Sequence, residues 1–355
     1  MKRILKYSLS AATMVACALI YSSCSDWTEQ ESLDIHTPTI EEQNPELYAQ
    51  YIESLNEYKA SEHLVMIASV NNLPTLPSAR NQHLTNLPDS IDYICLNNIL
   101  EVNEVNVAEM EDVRKKGTKV LGLADFDAIA ASWKAILDKE KEEAANAEGD
   151  EEVTVDDATR FIEYCKAETA KLIAAANDLG VDGIEMNYTG FDLKALVGEE
   201  EIAAESARQG AFFDAVVSWK AANTDKLLIF KGAPQNVMQK DLLTDCKYII
   251  INAHGAKNQS EMSYLVLMAS IDGVPTDRFV MGVTTPYVIA DGSFNGLLID
   301  GSSAILTAAQ WAVPGEATYV KAGISVDAAE QDYFNAAYVY PNIREAINIM
   351  NPTVK

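Results

Sequence analysis

Positive charge is scarce in this chain. Its 355 residues hold 27 Lys and Arg against 53 Asp and Glu, a formal net charge of -26. A surface so acidic repels phosphate backbones, which argues against nucleic acid as a partner. Cysteines are few. Beyond the N-terminal region there are Cys95, Cys165 and Cys246, far apart and odd in number, so neither a disulfide framework nor a zinc spacing can be drawn. Buried free thiols are the expectation. No D-x-D-x-D-G loop offers a calcium site, and the reading assigns neither metal nor cofactor. No segment after the N-terminus is apolar for long enough to span a bilayer. What is plentiful is apolar residue, at 48%, ample for the core of one barrel or of two ordinary domains.

The N-terminus sets a compartment. Met1-Lys2-Arg3 and Lys6 make a positive region, and Leu9 to Ile20 is an apolar stretch of signal-peptide length. Tyr21-Ser22-Ser23-Cys24 follows, with Asp26 and Glu29 close behind. This run resembles a bacterial lipobox, with Tyr21 where leucine is common. The resemblance implies a signal segment over 1–23, lipidation at Cys24 and an outer-membrane anchor facing the cell surface. An ordinary secreted protein cut near Ser23 is the alternative. An acidic tether is expected over 24–45, and a folded body over 46–355 with an acidic insertion around 127–156.

From a helix expected near Glu46 to Tyr58, the chain alternates short apolar runs with helical patterns. The runs are His63–Ser69, Ile91–Leu96, Thr118–Leu123, Val181–Asn187, Lys226–Phe230, Tyr248–Asn252, Arg278–Val283 and Tyr319–Ile324. They are continuous rather than alternating, as parallel strands covered by helices require. Between Asp157 and Leu179, Phe161, Cys165, Leu172 and Ala176 share one helical face, with Gly180 suited to end the helix. Further helices are expected over Met110–Lys116, Ala203–Ala222, Ser260–Ile271 and Pro341–Met350. Eight such units predict an α/β fold, a (β/α)8 TIM barrel. An open doubly wound sheet is the structural alternative. The charge run Lys139–Glu152 reads as a solvated loop or helix end.

On the fourth run stands Asp182-Gly183-Ile184-Glu185-Met186-Asn187-Tyr188-Thr189. Side chains two apart on a strand share a face, so 185, 187 and 189 point into the barrel and Ile184 and Met186 toward the helices. The segment resembles the D-G-x-D-x-D-x-E signature of glycoside hydrolase family 18. Ser78–Asp92 and the ending Tyr340–Pro352 are similar to the Bacteroides lipoprotein branch of that family, whose members resemble endo-β-N-acetylglucosaminidases acting on N-glycans. In active members the last glutamate of the signature protonates the glycosidic oxygen. The aspartate before it steadies the substrate's own N-acetyl group during its attack. Here Asp182 matches the first aspartate and Glu185 replaces the second. Asn187 replaces the third and Thr189 the glutamate. A threonine hydroxyl is no proton donor near neutral pH, and losing a general acid costs roughly 10²- to 10⁴-fold. Glu185 lies about 13 Å deeper than Thr189, four residues at about 3.3 Å each, too far to stand in.

The resemblance therefore implies a barrel that binds N-acetylglucosamine-containing glycans, N-glycans among them, without cutting them. Its partners would be the glycan, the outer membrane and a neighbouring importer. Sugar sites join an aromatic face to planar amides and carboxylates. The candidates at the strand ends are Asn97, Asn98, Asp125, Asn187, Tyr188, Thr189, Lys231, Gln235, Asn252, His254 and Tyr287. Tyr188 has the wrong parity to face the axis unless the strand has ended. Trp133 and Trp219 read as packing, and Trp311 as packing or the cap of a groove. Two rivals stand beside this reading. One is a hydrolase with an altered acid, drawn from Asp125, Asp192 or Glu199. The other is a docking lipoprotein whose mouth is filled.

Overall fold

The computed structural model describes residues 38–146, 157–289, 292–315, 317–334 and 337–352. The expected signal segment 1–23, Cys24, most of the tether and part of the acidic run lie outside the described residues. The described residues fall into two units, divided between Tyr51 and Ile52. The first holds helix α1 (Ile40–Gln43), whose Thr39 and Glu42 close a reciprocal capping box, and the start of α2 (Pro45–Ala60).

The second unit is the barrel. Its strands are β1 (Val65–Val70), β2 (Tyr93–Leu96), β3 (Lys119–Asp125), β4 (Gly183–Tyr188), β5 (Leu227–Gly232), β6 (Tyr248–Asn252) and β7 (Phe279–Thr284). A short hairpin, β8 (Tyr287–Val288) with β9 (Phe294–Asn295), precedes the eighth barrel strand, β10 (Lys321–Asp327). All barrel pairings are parallel, in the order β1-β10-β7-β6-β5-β4-β3-β2, and β1 pairs with both β2 and β10. That closure overturns the open-sheet alternative. The helices around it are α3 (Glu104–Lys115), α4 (Phe126–Asn146), α5 (Asp157–Asp178), α6 (Glu199–Ala222), α7 (Gln259–Ala269), α8 (Ala304–Ala312) and α9 (Pro341–Met350). Among the described residues no helix is long and apolar enough to cross a membrane.

Strand parity sorts the side chains into two cores. Inside the barrel, Val65, Ile67, Cys95, Leu121, Ile229, Ile250 and Val280 meet, with Tyr93 and Tyr248 packed edge to face at 5.7 Å below them. Outside, Ile184, Met186 and Tyr188 pack with helix residues such as Phe212, Phe213 and Phe161. Each core is a cluster of buried apolar side chains, and such burial is the main stabilising term of a domain this size. Cys95, Cys165 and Cys246 are buried free thiols, as expected.

Two glycines show how tightly the site-bearing strand is held. A Cβ on Gly183 would lie 2.6 Å from the Leu227 backbone oxygen, so the glycine lets β4 and β5 meet. Gly232 sits at φ +120 against the Tyr188 backbone, where a side chain would be strained. The structure adds three helices the periodicity missed, the four-residue α1 in the expected tether and two in the barrel. α4 occupies the start of the expected acidic insertion, and Lys139 to Ala144 near its end are exposed. α8 buries six of its nine residues, so no polar face marks it as a helix.

Candidate functional site

The C-terminal strand ends form the mouth, where a barrel gathers its chemistry. At the end of β3, Asp125 accepts from the Ala128 amide (3.1 Å) and from the Asn187 side-chain amide (2.8 Å). Asp127, in the first turn of α4, accepts from the same Asn187 nitrogen (3.3 Å) and from the Thr189 backbone (3.2 Å). Both hydrogens of the Asn187 amide thus serve carboxylates, and no described residue donates to its Oδ1. An amide is the residue that suits this place. An aspartate would set a third carboxylate against two others, a repulsion that raises its pKa. Burial pushes Asp125 above the usual carboxylate range, against the pull of the Asn187 hydrogen bond. Thr189 is exposed at the rim, its carbonyl accepting from the Asn236 side chain (2.7 Å).

Deeper and across the barrel lies a charged group. Lys231 Nζ, from β5, stands 2.6 and 2.7 Å from the two Asp327 oxygens at the end of β10. It is 3.5 Å from Glu185, whose carboxylate is fully buried and has no hydrogen-bond partner among the described residues. His254 Nε2 lies 3.0 Å from Asp327. Burial pushes Glu185 up, and Lys231 only partly offsets this. Burial would raise Asp327 too, but the Lys231 ammonium and then His254 hold it well below the usual range. Lys231 is kept charged by Asp327 and Glu185 against its own desolvation. One ammonium therefore serves two carboxylates, and Glu185 is the one that burial pulls toward the neutral form.

Other expected positions scatter around this centre. Asn252 turns its oxygen to the His254 backbone amide (3.0 Å), fixing the loop that carries the histidine. Asn97 donates to Asn71 (2.8 Å), and Asn98 is tied to Asn72. Gln235 keeps a buried oxygen without a partner among the described residues. Tyr287, half-buried on β8, accepts weakly from Asn295 at 3.4 Å.

One expected site residue is corrected, Tyr188, and three other positions are placed. Tyr188 is fully buried between barrel and helices, against Phe126 and Phe213, with its hydroxyl donating to Glu205 (2.7 Å). β4 is still extended there, so parity turns the ring outward and removes it from the mouth. Trp311 is packing rather than a groove cap, 1% exposed and stacked on Tyr319. Asp182, the first aspartate of the motif, lies at the opposite end of β4, where it binds Arg114 (3.0 Å) and the Val120 amide (2.8 Å). It clamps the strand's start. Asp192, offered as an alternative acid, caps a turn through the Lys194 amide (3.0 Å).

Sequence reasoning missed Asp127 and Asp327. Asp127 was absorbed into the acidic insertion. Asp327 was missed because the eighth strand was expected to stop at Ile324, three residues short of its polar end.

Comparison with known proteins follows the geometry. The model of glycoside hydrolase family 18, BT1044-like, matches residues 28–349. Among solved structures, a selenomethionine form of BT1044 with a glutamate-to-glutamine substitution is 16% identical. It covers 89% of this chain and 96% of its own, with a TM-score of 0.57. The apo endo-β-N-acetylglucosaminidase from Cordyceps militaris is 15% identical, covering 85% and 96%, with a TM-score of 0.56. A double mutant of that enzyme in complex with fucosyl-N-acetylglucosamine-Asn matches at 16%, covering 85% and 95%, with a TM-score of 0.56. At these identities the likeness speaks to the fold. No curated protein matches the sequence.

Proposed function

Because the chain belongs to glycoside hydrolase family 18, in its BT1044-like group, we propose that its barrel mouth binds N-acetylglucosamine-containing glycans without hydrolysing them. One observation carries the proposal. Asn187 spends both amide hydrogens on Asp125 and Asp127, and exposed Thr189 stands where the family's acid is expected. The Asn187 carbonyl remains to accept a hydrogen bond, the role an acetamido N–H would fill. Thr189 has no proton to give a leaving alcohol at neutral pH, and Asn187 has no charge to steady an oxazolinium-like intermediate. Glu185, buried below Lys231, is out of reach of the rim.

The ligand class is carried over from the relative crystallised with fucosyl-N-acetylglucosamine-Asn. In this reading Asn252, His254, Asn97 and Tyr287 supply hydrogen bonds around the rim. The lipobox-like run ending at Cys24 anchors the protein at the outer membrane, facing the cell surface, where it passes glycan to an importer.

Calorimetry with an N-glycan, run beside mass spectrometry of the incubated mixture, tests this. Saturable binding without released sugar is expected. The double variant Asn187→Asp with Thr189→Glu should still bind and should gain slow cleavage. Absence of binding by both proteins sinks the proposal. A second reading rests on Asp125, whose carboxyl burial favours the protonated form beside Asn187. If the wild type releases glycan and Asp125→Asn abolishes that release, the protein is a hydrolase with a displaced acid.

A further inference from the structure

Beside the mouth a groove of about 730 Å³ runs between α4, α5 and α6. Its walls are apolar for the most part, with Trp133, Phe161, Phe191 and Leu196 among them, and Arg208 of α6 lies in its lining. The Arg208 guanidinium carbon is 5.2, 4.8 and 4.8 Å from the ring centroids of Phe126, Phe161 and Phe191. Its Nε is buried without a partner, and no described residue offers the side chain a hydrogen bond or a carboxylate. The lining holds three acids, and each has another partner: Asp157 faces Arg160 (3.7 Å). Glu205 holds the Tyr188 hydroxyl and the Gln209 amide (3.0 Å), and Glu201 accepts from the Val197 amide (2.7 Å).

A guanidinium backed by aromatic faces keeps its in-plane N–H fork for a planar anion, and a carboxylate matches that fork with two hydrogen bonds. The volume is that of a small-molecule site. Phe191 is 51% exposed and stands two residues beyond Thr189, on the loop that leaves the mouth. The lining holds two cations, Lys134 and Arg208, and Lys134 is paired with Asp138 (2.6 Å), so an apolar wall with one unpaired cation suits a ring that has one apolar face and one carboxylate. We propose that this groove is a subsite for a carboxylated sugar, a uronic or sialic acid unit of a larger glycan. Its carboxylate pairs with Arg208 and its ring lies along Phe191 and the aliphatic wall. The proposal deepens the glycan-binding reading and rests on it.

Trp133 lines the groove, so its fluorescence reports occupancy there, and a Trp133→Phe control identifies the signal. Titration with glucuronate should give saturable quenching with at least ~10-fold preference over glucose, which carries a hydroxymethyl group in place of the carboxylate. Arg208→Gln should remove that preference, and Phe191→Ala, at an exposed ring, should weaken glucuronate several-fold in a protein that keeps its thermal midpoint. Equal binding of glucuronate and glucose, or glucuronate binding unchanged in both variants, overturns the subsite. So does equal binding of cyclohexanecarboxylate, which has the charge and ring but no hydroxyls. Calorimetry with chitobiose reports the mouth separately. Chitobiose binding retained while glucuronate fails refutes the groove alone, and the reverse refutes the mouth alone.

Discussion

Lys231 is the residue on which the interior charge balance turns. Its ammonium faces Asp327 at 2.6 Å and Glu185 at 3.5 Å, and Glu185 is completely buried. Removing one partner of a buried ion group leaves uncompensated charge, at a cost of about 3–5 kcal/mol. Lys231→Met keeps the stem and deletes the charge, so urea unfolding at neutral pH should show a loss of that order. A loss under about 1 kcal/mol would mean that the carboxylates do not depend on Lys231. Asp327 is held below its unfolded pKa, so its contribution is present above the ordinary carboxylate range and is lost only as pH falls through its low folded value. Neutral-pH measurements therefore report the ion group intact. Asn187 illustrates the same logic at the rim: its neighbours Asp125 and Asp127 make an amide the residue that fits.

Elements are locked together at the closed end of the barrel by groups far from the mouth. His63, just before β1, donates through Nδ1 to the Ser61 carbonyl and through Nε2 to Asp92, both at 2.8 Å. Asp92, just before β2, also accepts from the Met66 amide of β1 (2.8 Å). The hydrogen bond to Asp92 raises His63 above its ordinary value of about 6.5. A raised histidine stabilises fully below its unfolded pKa, and the effect is lost as pH rises through the folded value. Nearby Lys59 runs the other way. Burial lowers it to about 8, so its penalty on folding is relieved as pH rises from there toward its ordinary value. The raw pH profile mixes the two. The difference in urea midpoint between wild type and His63→Gln isolates the histidine, and it should shrink from pH 6 to pH 9. A difference that stays constant across that range would show that His63 does not titrate there.

For the molecule as a whole, the excess of 53 acidic over 27 basic residues makes self-repulsion a term in stability. The long-range part of that repulsion is screened over about 10 Å at 0.1 M salt, while close pairs such as Lys231–Asp327 are screened less. Raising sodium chloride from about 10 mM to about 150 mM should therefore raise the urea midpoint. A midpoint that falls would mean that surface ion pairs outweigh the net charge. The barrel and the mouth divide this charge unequally. The inner core around Ile67, Leu121 and Ile250 is apolar, and the charged side chains Glu185, Lys231 and Asp327 belong to β4, β5 and β10 around it.

The eight barrel strands were legible because their period is short and their apolar runs continuous, and strand parity alone put Ile184 and Met186 outside and Glu185 inside. Parity also warned against Tyr188, and the structure settled it by keeping β4 extended through that residue. That Thr189 follows β4 at the rim is likewise read from the sequence, since spacing along one strand fixes which residue reaches the rim. Tertiary structure decided what stands around that residue. Asp327 comes from a strand 138 residues after Thr189, Asp127 from a helix at the start of the expected acidic insertion, and Arg208 meets three aromatic rings from three separate segments. Periodicity describes neighbours along one element. Charge pairing and aromatic stacking depend on distances between elements, and those exist only once the barrel has closed.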